Sequence, residues 1–272
     1  LPSSGRPRIT ARCFVNRPEN SPTENNKSVD RRTFMQTSGA ALAGAALGSA
    51  ALSSMPRTAR AEDQKQDIIR VGLVGCGGRG TGAAVNALSV CPNARLVAVG
   101  DTFIDRITGS LKNLRNSDVK DQVLVNPDGI HVGFDAYADV IEQCDVVLLC
   151  ATPHFRPKHL EAAVAAGKHV FCEKPVAVDA PGVRKVMEIC ERAREKRLSV
   201  VSGLCYRYQD AKIETIQRVH DGAVGDIVSL QCTYNASGLW HRGRQPEWSD
   251  MEWQIRNWLY FTWLSGDHIV EQ

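Results

Sequence analysis

After residue 66 the hydrophobic and polar positions fall into a repeating order. Ile68–Val74 ("IIRVGLV") is a nearly unbroken apolar run that stops at "GCGGRG", and Thr81–Leu88 then reads as a helix. A second apolar run, Ala94–Asp101 ("ARLVAVGD"), ends in an acid. A helix is expected over "FDAYADVIEQ", and a third clear strand over Cys144–Pro153 ("CDVVLLCATP"). Pro157 is placed to open a helix and Gly167 to close it. The next strand is His169–Glu173; Pro181 opens a helix to about Lys196, and "LSVVSG" is a further strand. Strands that are apolar throughout and alternate with helices predict a parallel sheet covered on both faces. With the glycine turn they predict an α/β fold, a doubly wound (Rossmann) nucleotide-binding domain over residues 66–202.

From Gly203 the pattern changes. A helix ("DAKIETIQRVH"), a turn ("DGAVGD") and an alternating strand ("IVSLQCTYN") predict the start of an α+β domain over residues 203–272. All five tryptophans fall between Trp240 and Trp263, close to His241, Arg242 and Arg244. Such rings could stack on a sugar; cover for a sheet face is the favoured reading.

Charge separates the chain into two parts. Residues 1–61 carry nine of the 33 basic and three of the 30 acidic residues, leaving 24 against 27, a net of −3, for the rest. That body gives no electrostatic reason to expect nucleic acid. In residues 1–61, paired Arg31 and Arg32 precede an uncharged, Ala- and Gly-rich run (33–56), and "ARA" ends at Ala61. This resembles a disordered leader with a twin-arginine export signal, cleaved after Ala61, and implies the twin-arginine export machinery as a partner and a periplasmic or exported location. The run is too weakly hydrophobic for a transmembrane helix, so no stable membrane span is expected after cleavage. The first residue is Leu, and "GDHIVEQ" at the other end has no polar tail; both ends read as those of a fragment. Nine cysteines with no CxxC pair argue against a disulfide framework or a zinc site, so no metal is expected. Cys150, Cys172 and Cys232 lie in apolar runs and are expected to be buried.

The candidate chemistry collects at predicted strand ends. Gly75, Cys76, Gly77, Gly78, Arg79 and Gly80 form the GxGxxG turn, with Asp101 21 residues beyond Gly80 at the end of the next strand. Glycines let a backbone approach a pyrophosphate, and the following helix offers free N–H groups. Asp101 can accept both ribose hydroxyls and would repel a 2′-phosphate, which favours NAD; Arg79 could reach a phosphate and keeps NADP open. Thr152, Pro153 and His154 follow the third strand, where ligands of open α/β sheets bind; His154 by itself reads rather as a solvated loop residue. Glu173, Lys174 and Pro175 end another strand on the same side. A lysine there can bind a hydroxyl or share its proton, or it can merely pair with Glu173. Pro175 could hold a cis peptide.

"VGLVGCGGRG", "DVVLLCATPHFRPKH" and "GKHVFCEKPVAV", in that order, resemble the glucose-fructose oxidoreductase/inositol dehydrogenase (Gfo/Idh/MocA) family, with "CEKP" the most specific element. The resemblance runs from about Ile68 to the end of the chain. It implies a Rossmann domain followed by an α+β domain with an open, mostly antiparallel sheet, incomplete in this chain. It implies NAD(P)-dependent hydride transfer to or from a sugar or polyol. Lys174 would be the catalytic lysine, Gly75, Gly77, Gly80 and Asp101 would hold the dinucleotide, and Glu173 and Pro175 would shape the turn near the nicotinamide. The family's Asp-x-x-x-His pair would fall on Glu271 and a residue 275, so the acid has changed and the base lies past Gln272. His268 could contact substrate or cap the turn, and Arg207 could contact substrate or pair with Asp210. The resemblance also implies a homo-oligomer in the full-length protein. Two alternatives remain: an NAD-dependent glycoside hydrolase working by transient oxidation, and a non-catalytic dinucleotide or sugar sensor.

Overall fold

The computed structural model describes residues 67–271. The Arg31–Arg32 motif, the run 33–56 and the expected cleavage after Ala61 lie outside the described residues. Six parallel strands make one sheet: β1 (Ile69–Val74), β2 (Ala94–Asp101), β3 (Ile130–Val132), β4 (Val146–Leu149), β5 (His169–Cys172) and β6 (Val200–Ser202). Their order is β3-β2-β1-β4-β5-β6, the doubly wound arrangement with its switch point between β1 and β4. Helices α1 (Gly78–Val90), α2 (Ile104–Arg115), α3 (Ala136–Gln143), α4 (Arg156–Ala165) and α5 (Ala180–Glu195) connect them.

Alternation along the strands feeds two cores. Val71, Leu73 and Leu148 pack with Leu88, Leu111 and Leu114 on one face. Val74, Val147 and Leu149 pack with Val140, Leu160 and Ile189 on the other. A strand presents successive residues to opposite faces, so a strand covered on both must be apolar throughout. The register then sets the height of the loops. Val74 lies opposite Gly100 on one side and Leu149 on the other, and Leu149 lies opposite Cys172. Four strand ends are therefore level, and the segments after them open onto one crevice.

Two elements escaped the sequence pattern. β3 is only three residues long, too short for a period. α2 buries Ile107, Leu111 and Leu114 at i, i+4 and i+7, a readable stripe in an otherwise polar stretch. The largest departure is "IVSLQCTYN". The expected strand is irregular, with Val228 94% and Leu230 91% exposed. Alternation makes a segment compatible with a sheet, but a strand exists only where a neighbour supplies N–H and C=O groups; among the described residues none runs beside it. The expected antiparallel sheet is thus not found there, and Cys232, expected to be buried, is exposed. Cys172 is buried, and burial pushes its thiol up to about 11 and that of Cys150 to about 12.

Beyond β6, α6 (Asp210–His220) follows, then α7 (Asp250–Arg256) and the short helices α8 (Thr262–Ser265) and α9 (His268–Glu271). α7 starts where the Ser249 hydroxyl accepts the Glu252 N–H at 3.1 Å, with Asp250 and Glu252 in its first turn and Arg256 in its last. Two of the five tryptophans do not serve as cover for a sheet face, the reading favoured for most of them. Trp240 and Trp258 instead wall the crevice at the strand ends.

Candidate active site

The crevice is a cavity of about 550 Å³. The loop after β1 supplies its floor. Gly75 has φ +96°, and a Cβ there would stand 2.4 Å from the Ala151 nitrogen; a Cβ on Gly80 would stand 1.9 Å from the Gly75 carbonyl oxygen. Both positions need glycine to let α1 start against the sheet. At Gly77 and Gly78 a Cβ would meet nothing within 4 Å, so these two leave open space in front of the backbone. Gly77 caps α1 without a side chain, and the first-turn N–H groups, which have no partner inside a helix, face that space. A turn of this shape fits a pyrophosphate.

Asp101, at the end of β2, is held by the backbone. Its Oδ2 accepts the Cys76 N–H at 2.7 Å and its Oδ1 the Phe103 N–H at 3.0 Å. Burial raises its pKa above the ordinary value of 3.8, partly offset by those two hydrogen bonds and by the Arg106 charge. Each oxygen keeps a free lone pair, which fits a ribose diol. The Cys76 side chain is buried with its Sγ on the Gly100 carbonyl at 3.6 Å and does not line the cavity.

On the other side, Glu173 is bound to Arg79 at 2.5 Å and takes the Lys174 N–H at 3.1 Å. The Lys174–Pro175 peptide is cis. Lys174 therefore does not pair with Glu173 through its side chain. Its Nζ donates to Glu271 Oε1 at 2.9 Å and to the Glu271 carbonyl. Glu271 is buried and Lys174 half-buried. Lys174 and Glu271 both line the cavity.

Of the other expected residues, Thr152 and Pro153 line the cavity, while His154 does not and packs edge-on to Trp263 at 5.2 Å. Arg207, in the turn Cys205–Tyr208, and His268 are exposed and are not on the cavity wall.

Three features were not legible beforehand. Arg156, 3% exposed, donates to the carbonyls of Leu149 (2.6 Å), Ala151 (2.8 Å) and Pro175 (2.9 Å). One guanidinium thereby fixes the loop after β4 against the turn after β5. His159 lines the cavity, stacks on Tyr137 at 4.3 Å and leaves its buried Nδ1 without a partner; burial lowers its pKa to about 3, so it is neutral. Third, Trp240, Arg242, Arg256 and Trp258 close the side next to Asp101. The sequence marked the tryptophans as a cluster but not their place.

Strand order, level strand ends, a glycine turn with open space before it and an acid at the end of β2 define a dinucleotide-binding Rossmann unit. Residues 69–203 match the family model described as "Oxidoreductase family, NAD-binding Rossmann fold" (GFO_IDH_MocA). Over residues 69–203 the chain is thus similar to the Gfo/Idh/MocA family. An inositol 2-dehydrogenase of Serratia proteamaculans is 31% identical over 169 residues, 61% of this chain and 45% of that protein. One of Ralstonia nicotianae is 30% identical over 206 residues, 74% and 56% of the two chains. A solved apo scyllo-inositol dehydrogenase from Lactobacillus casei superposes with TM-score 0.47 at 24% identity, covering 59% of this chain and 44% of that one. The chain spans about half the length of the curated relatives it matches.

Proposed function

We propose that this chain carries the cofactor-binding half of an NAD(P)-dependent oxidoreductase acting on a CH–OH group of a polyol or sugar. The observation that carries the reading is Lys174, at the end of β5, facing the same cavity as the glycine turn and Asp101. Gly77 and Gly78 and the first-turn N–H groups of α1 receive the pyrophosphate, and Asp101 accepts the ribose hydroxyls. When bound, the nicotinamide supplies the hydride acceptor. Lys174 donates a hydrogen bond to the reacting hydroxyl oxygen and steadies the negative charge that grows there as the C–H bond breaks. The hydroxyl proton passes to Lys174 Nζ as Nζ hands one of its own protons to the Glu271 carboxylate 2.9 Å away. Arg156 keeps the Lys174 turn at a fixed distance from the β4 loop. The inositol dehydrogenases among the relatives point to cyclic polyols as the first substrates to try.

The test is NADH formation by the full chain in the presence of NAD and a panel of inositols and hexoses. Polyol-dependent NADH supports the reading. Binding of NAD with no turnover of any polyol by either this chain or a form extended past Gln272 would overturn it. The leader supports a further proposal, export through the twin-arginine pathway with cleavage after Ala61, which N-terminal sequencing of the exported protein tests.

A further inference from the structure

The stretch that closes the Asp101 end of the cavity comes from beyond the Rossmann unit and holds together as one piece. Asn257 is fully buried; its Oδ1 accepts the Arg242 N–H at 2.8 Å, and its Nδ2 donates to the Arg242 carbonyl at 3.1 Å and the Trp253 carbonyl at 3.2 Å. The Tyr260 hydroxyl adds a hydrogen bond to the Leu239 carbonyl at 3.0 Å. Residues 227–245 have no helix or strand, so these side chains, rather than a backbone ladder, join Trp240 and Arg242 to α7.

Arg256, the last residue of α7, fastens that piece to the Rossmann unit. Its side chain is 10% exposed. Nη1 and Nη2 donate to the two carboxylate oxygens of Asp105 at 3.0 and 2.9 Å, and Nε donates to Glu252 at 2.9 Å, so each nitrogen is committed. The guanidinium also lies 3.9 Å from the centre of the Phe103 ring and 4.8 Å from that of Trp248. Each kind of partner is thus present on both sides of the join, Phe103 and Asp105 from the Rossmann unit, Trp248 and Glu252 from the later segment. The Arg256 hydrogen bonds hold the Asp105 carboxyl below its ordinary value of 3.8, so the pair is charged at neutral pH. Asp105 itself is 57% exposed, and water can take up its charge when the contact breaks. The join is strong enough to close and open enough to release.

Phe103 lines the cavity with Arg256, Trp240 and Trp258, and its N–H holds Asp101. The wall beside Asp101 is therefore made of two stretches of chain that side chains hold together. We propose that Arg256 is a latch: breaking its contact with Asp105 frees residues 240–258 from the first turn of α2, and that opening sets the rate at which a dinucleotide enters and leaves the cleft. This rests on the dinucleotide reading above. It makes Arg256 a positioning residue, which acts on the exchange of the cofactor and not on which cofactor is chosen. A barrier to passage is crossed in both directions, so weakening it raises entry and exit together, whereas losing an ordinary ligand contact raises exit alone.

The test is stopped-flow binding of NADH to the full chain, and its displacement by excess NAD, followed by energy transfer from tryptophan. Asp105→Asn removes the exposed half of the latch and should unfold in urea near the native midpoint. It should raise the association and dissociation rate constants together, each by at least about threefold. Asp105→Glu, which keeps the charge, should stay closer to the native rates than Asp105→Asn. Arg256→Lys keeps the charge but loses the fork and the flat face on Phe103, and should speed both steps as well. A rise confined to one rate constant, or a rise below about threefold in both, in Asp105→Asn and Arg256→Lys would overturn the latch and leave the dinucleotide reading standing. A native chain that binds no NADH would remove the dinucleotide reading, and the latch with it.

Discussion

Replacing Gly77 by Ala separates what the glycine turn does for the fold from what it does for a ligand. Gly77 has φ −71° and ψ −178°, which any residue adopts, and its Cβ would meet nothing within 4 Å. A glycine-to-alanine change at a compatible position stabilises by about 0.4–1 kcal/mol through the unfolded chain, though glycine is also the better cap, by a few tenths of a kcal/mol or more. The net expectation is stability within about 1 kcal/mol of the native chain. Gly80→Ala is the contrasting change. Its Cβ at 1.9 Å from the Gly75 oxygen meets backbone that cannot step aside, a cost of about 1–3 kcal/mol or more. Ligand affinity should behave otherwise. A methyl at Gly77 stands in the space before the α1 N–H groups and denies them to a pyrophosphate. Losing even one charge-assisted hydrogen bond, about 1.5–3 kcal/mol, weakens binding roughly tenfold to a hundredfold. The assay pairs urea unfolding with NAD titration for both variants. Gly77→Ala should fold normally and bind poorly, whereas Gly80→Ala should be impaired in both. Normal NAD affinity in a well-folded Gly77→Ala would refute the placement of the pyrophosphate.

Other expectations follow from single contacts. Arg156→Lys cannot reach three carbonyls at once and should cost about 2–4 kcal/mol in urea unfolding, with dinucleotide affinity lowered as the two loops loosen. His159, neutral in the fold with a pKa of about 3 against 6.5 unfolded, is protonated in the unfolded chain first. Stability should therefore fall as pH drops below about 6.5, by about 2 kcal/mol from this group at pH 5, and His159→Phe, which keeps the ring on Tyr137, should remove that share of the slope. Since Asp101 must be ionised to accept both ribose hydroxyls and burial raises its pKa, dinucleotide affinity should fall on acidification at a pH above 3.8, and Asp101→Asn should remove that step.

The Rossmann unit was legible because its physics is local. Unbroken apolar strands can only be buried on both faces, and GxGxxG followed by Asp101 encodes a turn, a helix start and the next strand end in one short stretch. Lys174 was legible as a strand-end residue, but its partner was not. Glu173 is the nearer acid in sequence, yet it turns to Arg79, and Glu271, 97 residues away, takes the lysine. Arg156 was invisible for the same reason: it acts on main-chain groups, which carry no residue identity to read. "IVSLQCTYN" failed in the opposite direction. Its alternation is sound, but pairing is a property of two segments and the pattern reports only one.

The central claim is that the level strand ends form one dinucleotide cleft with Lys174 at its reacting end. Trp240 and Trp258 on the cleft wall provide the readout, energy transfer from tryptophan to bound NADH. The most direct measurement is an NADH titration of the native chain and of Lys174→Ala by this signal, run beside polyol-dependent NADH formation. Saturable quenching in both, with affinities within about threefold of each other, and turnover in the native protein that falls by at least about a hundredfold in Lys174→Ala, is the expected result. Absence of quenching in the native chain, or turnover that survives the loss of Lys174, would contradict it.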